Sequence, residues 1–320
     1  MEQYRKMYRT SQQCTSLRNL RCQDEVEALS AYGHMSIRRL SSTFHRKEDS
    51  TMEKKIGFIG CGNMGRAMIG GLVKSGYIDA QNIYASDPFP QGLTEAKKAY
   101  SINISNTNVE LARECDIIVM SVKPYMYEPV IEEIRDFVKP QTLMIMIAAG
   151  QTIEQNENRF GKPVKLVRAM PNTPALVGEG MAALCANVLV SDDEKAEVKA
   201  IFETFGKAEF VDEGLMDVVT GVSGSSPAYV FMFVEALADG AVAHGMPRAQ
   251  AYKFAAQAVL GSAKMVLETC KHPGELKDMV CSPGGTTIDA VASLEENGFR
   301  NAVIKAVDVC TLKSELMSKR

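Results

Sequence analysis

The run Gly60-Cys61-Gly62-Asn63-Met64-Gly65 restricts the fold more than any other part of this chain. It follows a short apolar stretch, residues 55–60 (KIGFIG). It opens a segment, 63–75, in which Met64, Ala67, Met68 and Leu72 recur at helical spacing until Gly76 stops it. A G-x-G-x-x-G pattern alone is weak; between a strand and a helix it requires one particular backbone. Gly60 makes the tight turn, Gly62 lets a pyrophosphate approach the main chain, and Gly65 lets helix and strand pack closely. The phosphates then meet free N–H groups at the positive end of a helix dipole. That is the start of a dinucleotide-binding fold.

The same grammar continues downstream. Residues 83–86 form a second short strand, and 116–122 (DIIVMSV) and 142–148 (TLMIMIA) are apolar runs with few polar interruptions. Such runs suit strands buried on both faces of a parallel sheet. Residues 125–138 and 153–160 read as crossover helices, and 164–168 as a further strand before a turn at Met170-Pro171-Asn172-Thr173-Pro174. The alternation predicts an α/β class, with a Rossmann-type doubly wound sheet over 52–214. After about Leu215 strands stop. Residues 227–244 are apolar nearly all round, but Glu235 and Asp239 interrupt them and they fall short of ~20 clean apolar residues. Burial within a bundle or between subunits is expected instead of a membrane span. Helices at 247–268, 286–297 and 299–317 complete an all-helical part, 215–320, whose apolar surface implies an oligomer.

Bulk properties narrow the function. A net charge of −3 gives no reason to expect nucleic acid or an acidic membrane as partner. Eight cysteines include no C-x-x-C pair, and Cys61, Cys115 and Cys185 sit in apolar or Gly-rich stretches where a thiol behaves as a small hydrophobe. The chain reads as reduced and cytoplasmic. With only His244 and His272 in its body, no metal site is expected. Residues 1–51 do not match the rest. They are rich in Arg and Ser, lack the apolar core of a secretory signal, and carry too many acids (Glu2, Asp24, Glu25, Glu27, Glu48, Asp49) for a transit peptide. They are expected to be a disordered extension ahead of a natural start at Met52.

Asp87, in Ala85-Ser86-Asp87-Pro88, stands where the second strand ends. A carboxylate there accepts hydrogen bonds from a ribose 2′-hydroxyl and repels a 2′-phosphate, which points to NAD. Asp-Pro is also a common turn opener, so the choice between NAD(H) and NADP(H) stays open. Ser121-Val122-Lys123-Pro124 and Ala148-Ala149-Gly150 follow the next two strands and line the same crevice, with Lys123 either a phosphate or ribose contact or a solvated loop lysine.

In the helical half, Ser223-Gly224-Ser225-Ser226-Pro227 places Ser226 as N-cap and Pro227 at the first helical position. Cys281-Ser282-Pro283-Gly284-Gly285-Thr286-Thr287 opens another helix and presents bare N–H groups and hydroxyls: either a nest for a carboxylate or only a helix start.

Together GFIGCGNMG (57–65), VKP (122–124), RAMPNTPALV (168–177), GVSGSSPAYVF (221–231) and HPGELKDMVCSPGGTTIDA (272–290) resemble the pyrroline-5-carboxylate reductases, in particular their enteric bacterial branch, over 52–318. The resemblance implies NADPH- or NADH-dependent reduction of 1-pyrroline-5-carboxylate to L-proline, the last step of proline biosynthesis. It also implies a homodimer through the helical part, extending to a higher assembly such as a decamer. It assigns the pyrophosphate to Ile59, Gly60, Cys61, Gly62, Asn63 and Met64, the adenosine ribose to Ser86, Asp87 and Pro88, and the adenine side to Asn108. Val122, Lys123, Pro124 and Ala149 fall to the nicotinamide half. Val280, Ser282, Gly285, Thr286 and Thr287 fall to the substrate, with Thr287 facing the ring nitrogen as the catalytic hydroxyl. No strong acid stands in that motif, so the imine is expected to arrive protonated or to take its proton from water. Two other readings compete. A β-hydroxyacid dehydrogenase needs a lysine on the first long helix, and none occurs between Pro227 and Lys253; a non-catalytic dinucleotide sensor has no use for the nest at Gly285-Thr286-Thr287.

Overall fold

The computed structural model describes residues 52–319; the extension expected at 1–51 lies outside the described residues. From the first strand onward β1 (Ile56–Ile59), α1 (Asn63–Ser75), β2 (Ile83–Ser86), α2 (Pro90–Tyr100), β3 (Asn103–Ile104), α3 (Asn108–Glu114), β4 (Ile117–Met120), α4 (Tyr127–Ile134), β5 (Leu143–Met146), α5 (Ile153–Phe160) and β6 (Lys165–Met170) alternate, with α2, β3 and α3 filling a stretch to which the sequence reading assigns no element. The sheet order is β3-β2-β1-β4-β5-β6-β7-β8, parallel from β3 to β6. Successive residues of a strand feed opposite cores. Ile117 and Val119 of β4 pack with Phe58, Met68 and Leu72, while Ile118 and Met120 pack with Ile131, Ile134 and Tyr127. Burial on both faces explains why these strands show no polar alternation.

Two strands and one helix are shorter than the sequence predicts, whereas 63–75, 83–86 and 153–160 match their predicted bounds. The strands at 116–122 and 142–148 shorten to four residues each, because the chain leaves the sheet where its carboxyl edge opens into the crevice. The helix at 125–138 reduces to α4 after a 3-10 turn, Pro124–Met126, and ends well before Pro140, whose ring disfavours helix in the preceding residue. The turn at 170–174 becomes a 3-10 helix, Thr173–Val177. It leads into three unforeseen elements: β7 (Gly180–Ala186), α6 (Asp192–Glu203) and β8 (Gly206–Phe210). β7 runs antiparallel to β6 and β8 parallel to β7, so the sheet is mixed.

Beyond β8 the chain is helical: α7 (Met216–Val219), α8 (Ser226–Ala243), α9 (Arg248–Thr269), α10 (Pro273–Val280), α11 (Thr286–Glu296) and α12 (Phe299–Ser318). Ser226 is not an N-cap. It is the first residue of α8, preceded by Ser225 in helical conformation and by a π-helical turn, Thr220–Gly224, that joins α7 to α8. Helical backbone thus runs 31 residues, Glu213–Ala243, long and apolar enough by length and composition to cross a bilayer; the segment 227–244 alone had looked too short. Pro227 has no N–H to give the Ser223 carbonyl, which instead accepts from Asn172 Nδ2 at 3.0 Å. Gly221 and Gly224 allow close approach: a Cβ on the first would lie 2.8 Å from Thr311 Oγ1, and on the second 2.6 Å from Met170 Cε.

One buried clasp joins sheet and helices. Arg168 on β6, 5% exposed, pairs with Glu213 at 3.1 Å and Asp217 at 3.6 Å. Asp217 also accepts from Ser314 Oγ at 2.6 Å and Ser318 Oγ at 3.2 Å on α12. Much of the surface of the outer helices is nevertheless exposed. Within one chain α8 packs mainly along α9, and Ala238 is its one buried residue, so the burial expected of this apolar helix is not met by the chain alone. Phe231 and Met232 are 66% and 69% exposed. Apolar surface on that scale marks an interface.

Candidate active site

The crevice lies at the carboxyl ends of β1 and β4, where the order of strands reverses. Gly60 follows β1 with φ of 99°, a conformation that favours glycine, and a Cβ there would sit 2.7 Å from the Ser121 carbonyl. At Gly65 a Cβ would stand 2.7 Å from the Gly60 carbonyl, so helix and strand approach closely only because this residue has no side chain. Ser121 donates its hydroxyl to the Gly60 carbonyl at 2.6 Å and pins the turn to β4. Gly62, the N-cap of α1, is exposed, has nothing within 4 Å of an added Cβ, and no side chain caps the helix. The first amides of α1 are therefore open to an anion. These residues fit a dinucleotide pyrophosphate. Burial pushes the Cys61 thiol up to about 11, helped by the Asp87 charge, and pushes Cys115 and Cys185 up to about 12. All three are inert packing groups.

Asp87, expected at the adenosine ribose, holds the glycine turn from beyond β2. Its Oδ2 accepts the Cys61 N–H at 2.6 Å and its Oδ1 the Phe89 N–H at 2.8 Å. Asp87 therefore opens a turn and also holds the glycine loop. Pro88 is exposed beside it. Ser86 Oγ donates to Asn108 Oδ1 at 2.7 Å, and Asn108 Nδ2 donates to Glu133 Oε2 at 2.7 Å. Glu133 was not foreseen, because a helix-surface glutamate carries no signal in sequence.

Val122, Lys123, Pro124 and Ala149, expected at the nicotinamide, follow β4 and β5, adjacent strands paired Met120 to Met146. Lys123 is exposed and precedes the 3-10 turn. The group that fixes this edge is Tyr127, fully buried in α4. Its hydroxyl donates to the Met120 carbonyl at 2.9 Å and accepts the N–H groups of Ile147 and Ala148, each at 3.1 Å. Burial raises its pKa far above the ordinary phenol range, against a smaller lowering by those two N–H groups, and it stays a neutral clamp. Sequence reasoning missed it.

The stretch expected at the substrate, Cys281 to Thr287, forms a turn that enters α11. Gly285 N–H donates to the Ser282 carbonyl at 3.1 Å across Pro283 and Gly284, and Gly284 has φ of 66°. Proline second and left-handed glycine third make a type II turn. A Cβ on Gly285 would lie 2.3 Å from Ser282 Oγ. Gly285 caps α11 without a side-chain bond, so the N–H groups at Thr286 and Thr287 are free, and Val280, Ser282 and Thr286 are exposed. In one chain, however, α10 and α11 have no extensive packing against the sheet; α11 rests on α12. A groove of about 700 Å³ beside Ala149 is lined by Thr220, Ser225, Tyr229, Cys310 and Met317 among others, and by none of Val280 to Thr287. The structure places the residues expected at the cofactor along one edge of the sheet and forms the turn expected at the substrate, and the groove beside Ala149 is not lined by that turn.

Residues 213–317 match a family model described as pyrroline-5-carboxylate reductase dimerisation, and 55–150 match one described as NADP oxidoreductase, coenzyme F420-dependent. A pyrroline-5-carboxylate reductase of Escherichia coli is 55% identical over 268 residues, 84% of this chain and 100% of that protein. One from Methanosarcina acetivorans is 42% identical over 83% of this chain and 99% of its own. Among solved structures, a Plasmodium falciparum pyrroline carboxylate reductase with NADP bound superposes with a TM-score of 0.77 at 37% identity, over 83% of this chain and 98% of its own.

Proposed function

The chain belongs to the pyrroline-5-carboxylate reductase family, and on that premise we propose how its residues share the work. The enzyme reduces 1-pyrroline-5-carboxylate to L-proline with a reduced nicotinamide dinucleotide, as a homo-oligomer. Identity over the full length of the bacterial relative carries this reading. It is tested by following loss of nicotinamide absorbance when pyrroline-5-carboxylate is added; no loss with either cofactor overturns it. The unpaired cysteines among the described residues, Cys61, Cys115 and Cys185 buried, support a cytoplasmic location.

We divide the chain into a dinucleotide part, 52–214, and a helical part, 215–320. The amides of Asn63 and Met64, with the turn at Ile59 to Gly65, hold the pyrophosphate; Ser86, Asp87, Pro88 and Asn108 face the adenosine; Val122, Lys123, Pro124 and Ala149 face the nicotinamide. Once bound, the cofactor supplies the hydride. The amides at Gly285 to Thr287 grip the substrate carboxylate, with Ser282 and Val280 closing the pocket. Thr287 accepts the N–H of the protonated ring nitrogen and so orients the imine carbon. None of these substrate residues is a strong acid, so the nitrogen is protonated from solvent. Positioning then accounts for most of the acceleration, up to ~7–11 kcal/mol.

The substrate turn of one chain serves the cofactor crevice of its partner. Support comes from the lack of extensive packing between α11 and the sheet, and from the bare apolar flanks of α8, α9 and α12 that a second copy covers. This use of the 31-residue rod as an interface also accounts for Glu235 and Asp239 within it. Dimers of this kind are the unit from which a decamer would be assembled, and light scattering measures its size.

Thr287→Ala is expected to lower kcat/KM roughly tenfold or more, about 1–3 kcal/mol for one lost hydrogen bond to a charged group, with Thr287→Ser retaining most activity. Steady-state rates of both variants test this; unchanged kcat/KM in the alanine form removes Thr287 from the mechanism.

A further inference from the structure

We propose that Asp87 makes this enzyme select NADH over NADPH. The inference deepens the reading above, because it rests on a dinucleotide lying behind β1. The carboxylate stands beyond the end of β2 and is fixed from two sides, by the Cys61 N–H at 2.6 Å and the Phe89 N–H at 2.8 Å. An ionised carboxylate has about four acceptor sites, so roughly two remain, and they accept only donors. A ribose 2′-hydroxyl is a donor. A 2′-phosphate carries roughly −1.5 to −2 charges and only acceptors at its bound oxygens.

The surroundings do not offset that charge. Residues 87–91 (DPFPQ) contain no lysine or arginine. Arg66, on the first turn of α1, is engaged by Glu95 and by Asn63 Oδ1 at 2.9 Å. The polar chain next to Asp87 leads to another acid, from Ser86 through Asn108 to Glu133. A 2′-phosphate would have to enter a corner already negative, and to draw Arg66 away from its partner. A diol meets a ready acceptor.

The same carboxylate also holds the amide of the glycine turn, so it positions the turn for either cofactor. Its two roles separate by experiment. Isothermal titration of the full-length protein is expected to show NADH binding more tightly than NADPH by roughly tenfold or more, about 1.4 kcal/mol, with kcat/KM following the same ratio. Asp87→Asn removes the charge at constant shape, and Asp87→Ser removes the group. Both are expected to tighten NADPH relative to NADH by about the same factor. Wild-type protein that binds NADPH as tightly as NADH overturns the proposal. So does a pair of variants that weaken both cofactors equally, the result of losing a turn contact alone. If the binding preference is found while pyrroline-5-carboxylate is not turned over, the proposed reaction fails and the role of Asp87 stands.

Discussion

Co-expressed Gly62→Asp and Thr287→Glu chains are expected to recover about one quarter of wild-type turnover, although each variant alone is inactive. The two substitutions are chosen to spare the fold. Gly62 has an ordinary extended conformation and open space where its Cβ would be, and aspartate is a favoured N-cap. The new carboxylate therefore caps α1 and occupies, with a repelling charge, the place meant for the pyrophosphate. Thr287 lies in the first turn of α11, where an acid is welcome to the helix dipole and opposed to a substrate carboxylate. Each change is expected to lower kcat/KM by at least about a hundredfold, the effect of roughly 3 kcal/mol of lost binding. In a two-fold symmetric dimer with a shared site, a mixed pair has one crevice and one substrate turn intact, and they meet. Random pairing makes about half the dimers mixed with one working site in two, hence about one quarter. If each site is built within one chain, every mixed dimer is dead and recovery is nil. The readout is the specific activity of the co-purified mixture against each variant alone.

The part of the fold legible in sequence is the part where local geometry admits one residue type. Gly60 and Gly65 announce the turn because a left-handed φ and a 2.7 Å clearance exclude a side chain, while Gly62 leaves the approach to the first amides of α1 open. The helix 63–75 and its stop at Gly76, in left-handed conformation, follow from spacing and capping in the same way. β7 was hidden for the opposite reason. Its run Gly180–Ala186 (GMAALCA) has weak strand propensity, and only pairing with β6 on one side and β8 on the other makes it a strand. At Ser223 to Pro227 the local rules gave a break with an N-cap, whereas the chain accommodates proline in a π-turn and hands the spare carbonyl to Asn172. That bond spans some fifty positions of chain, beyond any local pattern. The start of α11 was legible as a helix entry with open amides. Its partner in space was not, because that depends on which chain supplies the crevice.

Tyr127→Phe is expected to remove about 2–4 kcal/mol of stability without opening a cavity, since the ring that fills the space between α4 and the sheet is retained. The hydroxyl joins one buried carbonyl and two buried amides at the ends of β4 and β5. Losing it leaves those groups unpaired at about 1–3 kcal/mol each. The sum is tempered because the Ile147 N–H also lies 3.5 Å from the Met120 carbonyl and keeps part of a bond. Such a loss corresponds to a fall in Tm on the order of 5–10 °C for a chain of this size. The carboxyl edge that slackens is the one leading to Val122 and Ala149, so KM for the cofactor is expected to rise several-fold while the substrate turn, on another element, is untouched. The pH dependence has a definite sign. Native Tyr127 remains protonated above the pH at which an unfolded tyrosine ionises, so its contribution is full below about pH 10 and erodes as pH rises beyond that. The phenylalanine form lacks that alkaline loss, and the stability gap between the two proteins therefore narrows above pH 10. Thermal melts at neutral and alkaline pH measure the gap. Equal melting temperatures at neutral pH, or a gap that widens with alkali, would show that the hydroxyl does not clamp the edge.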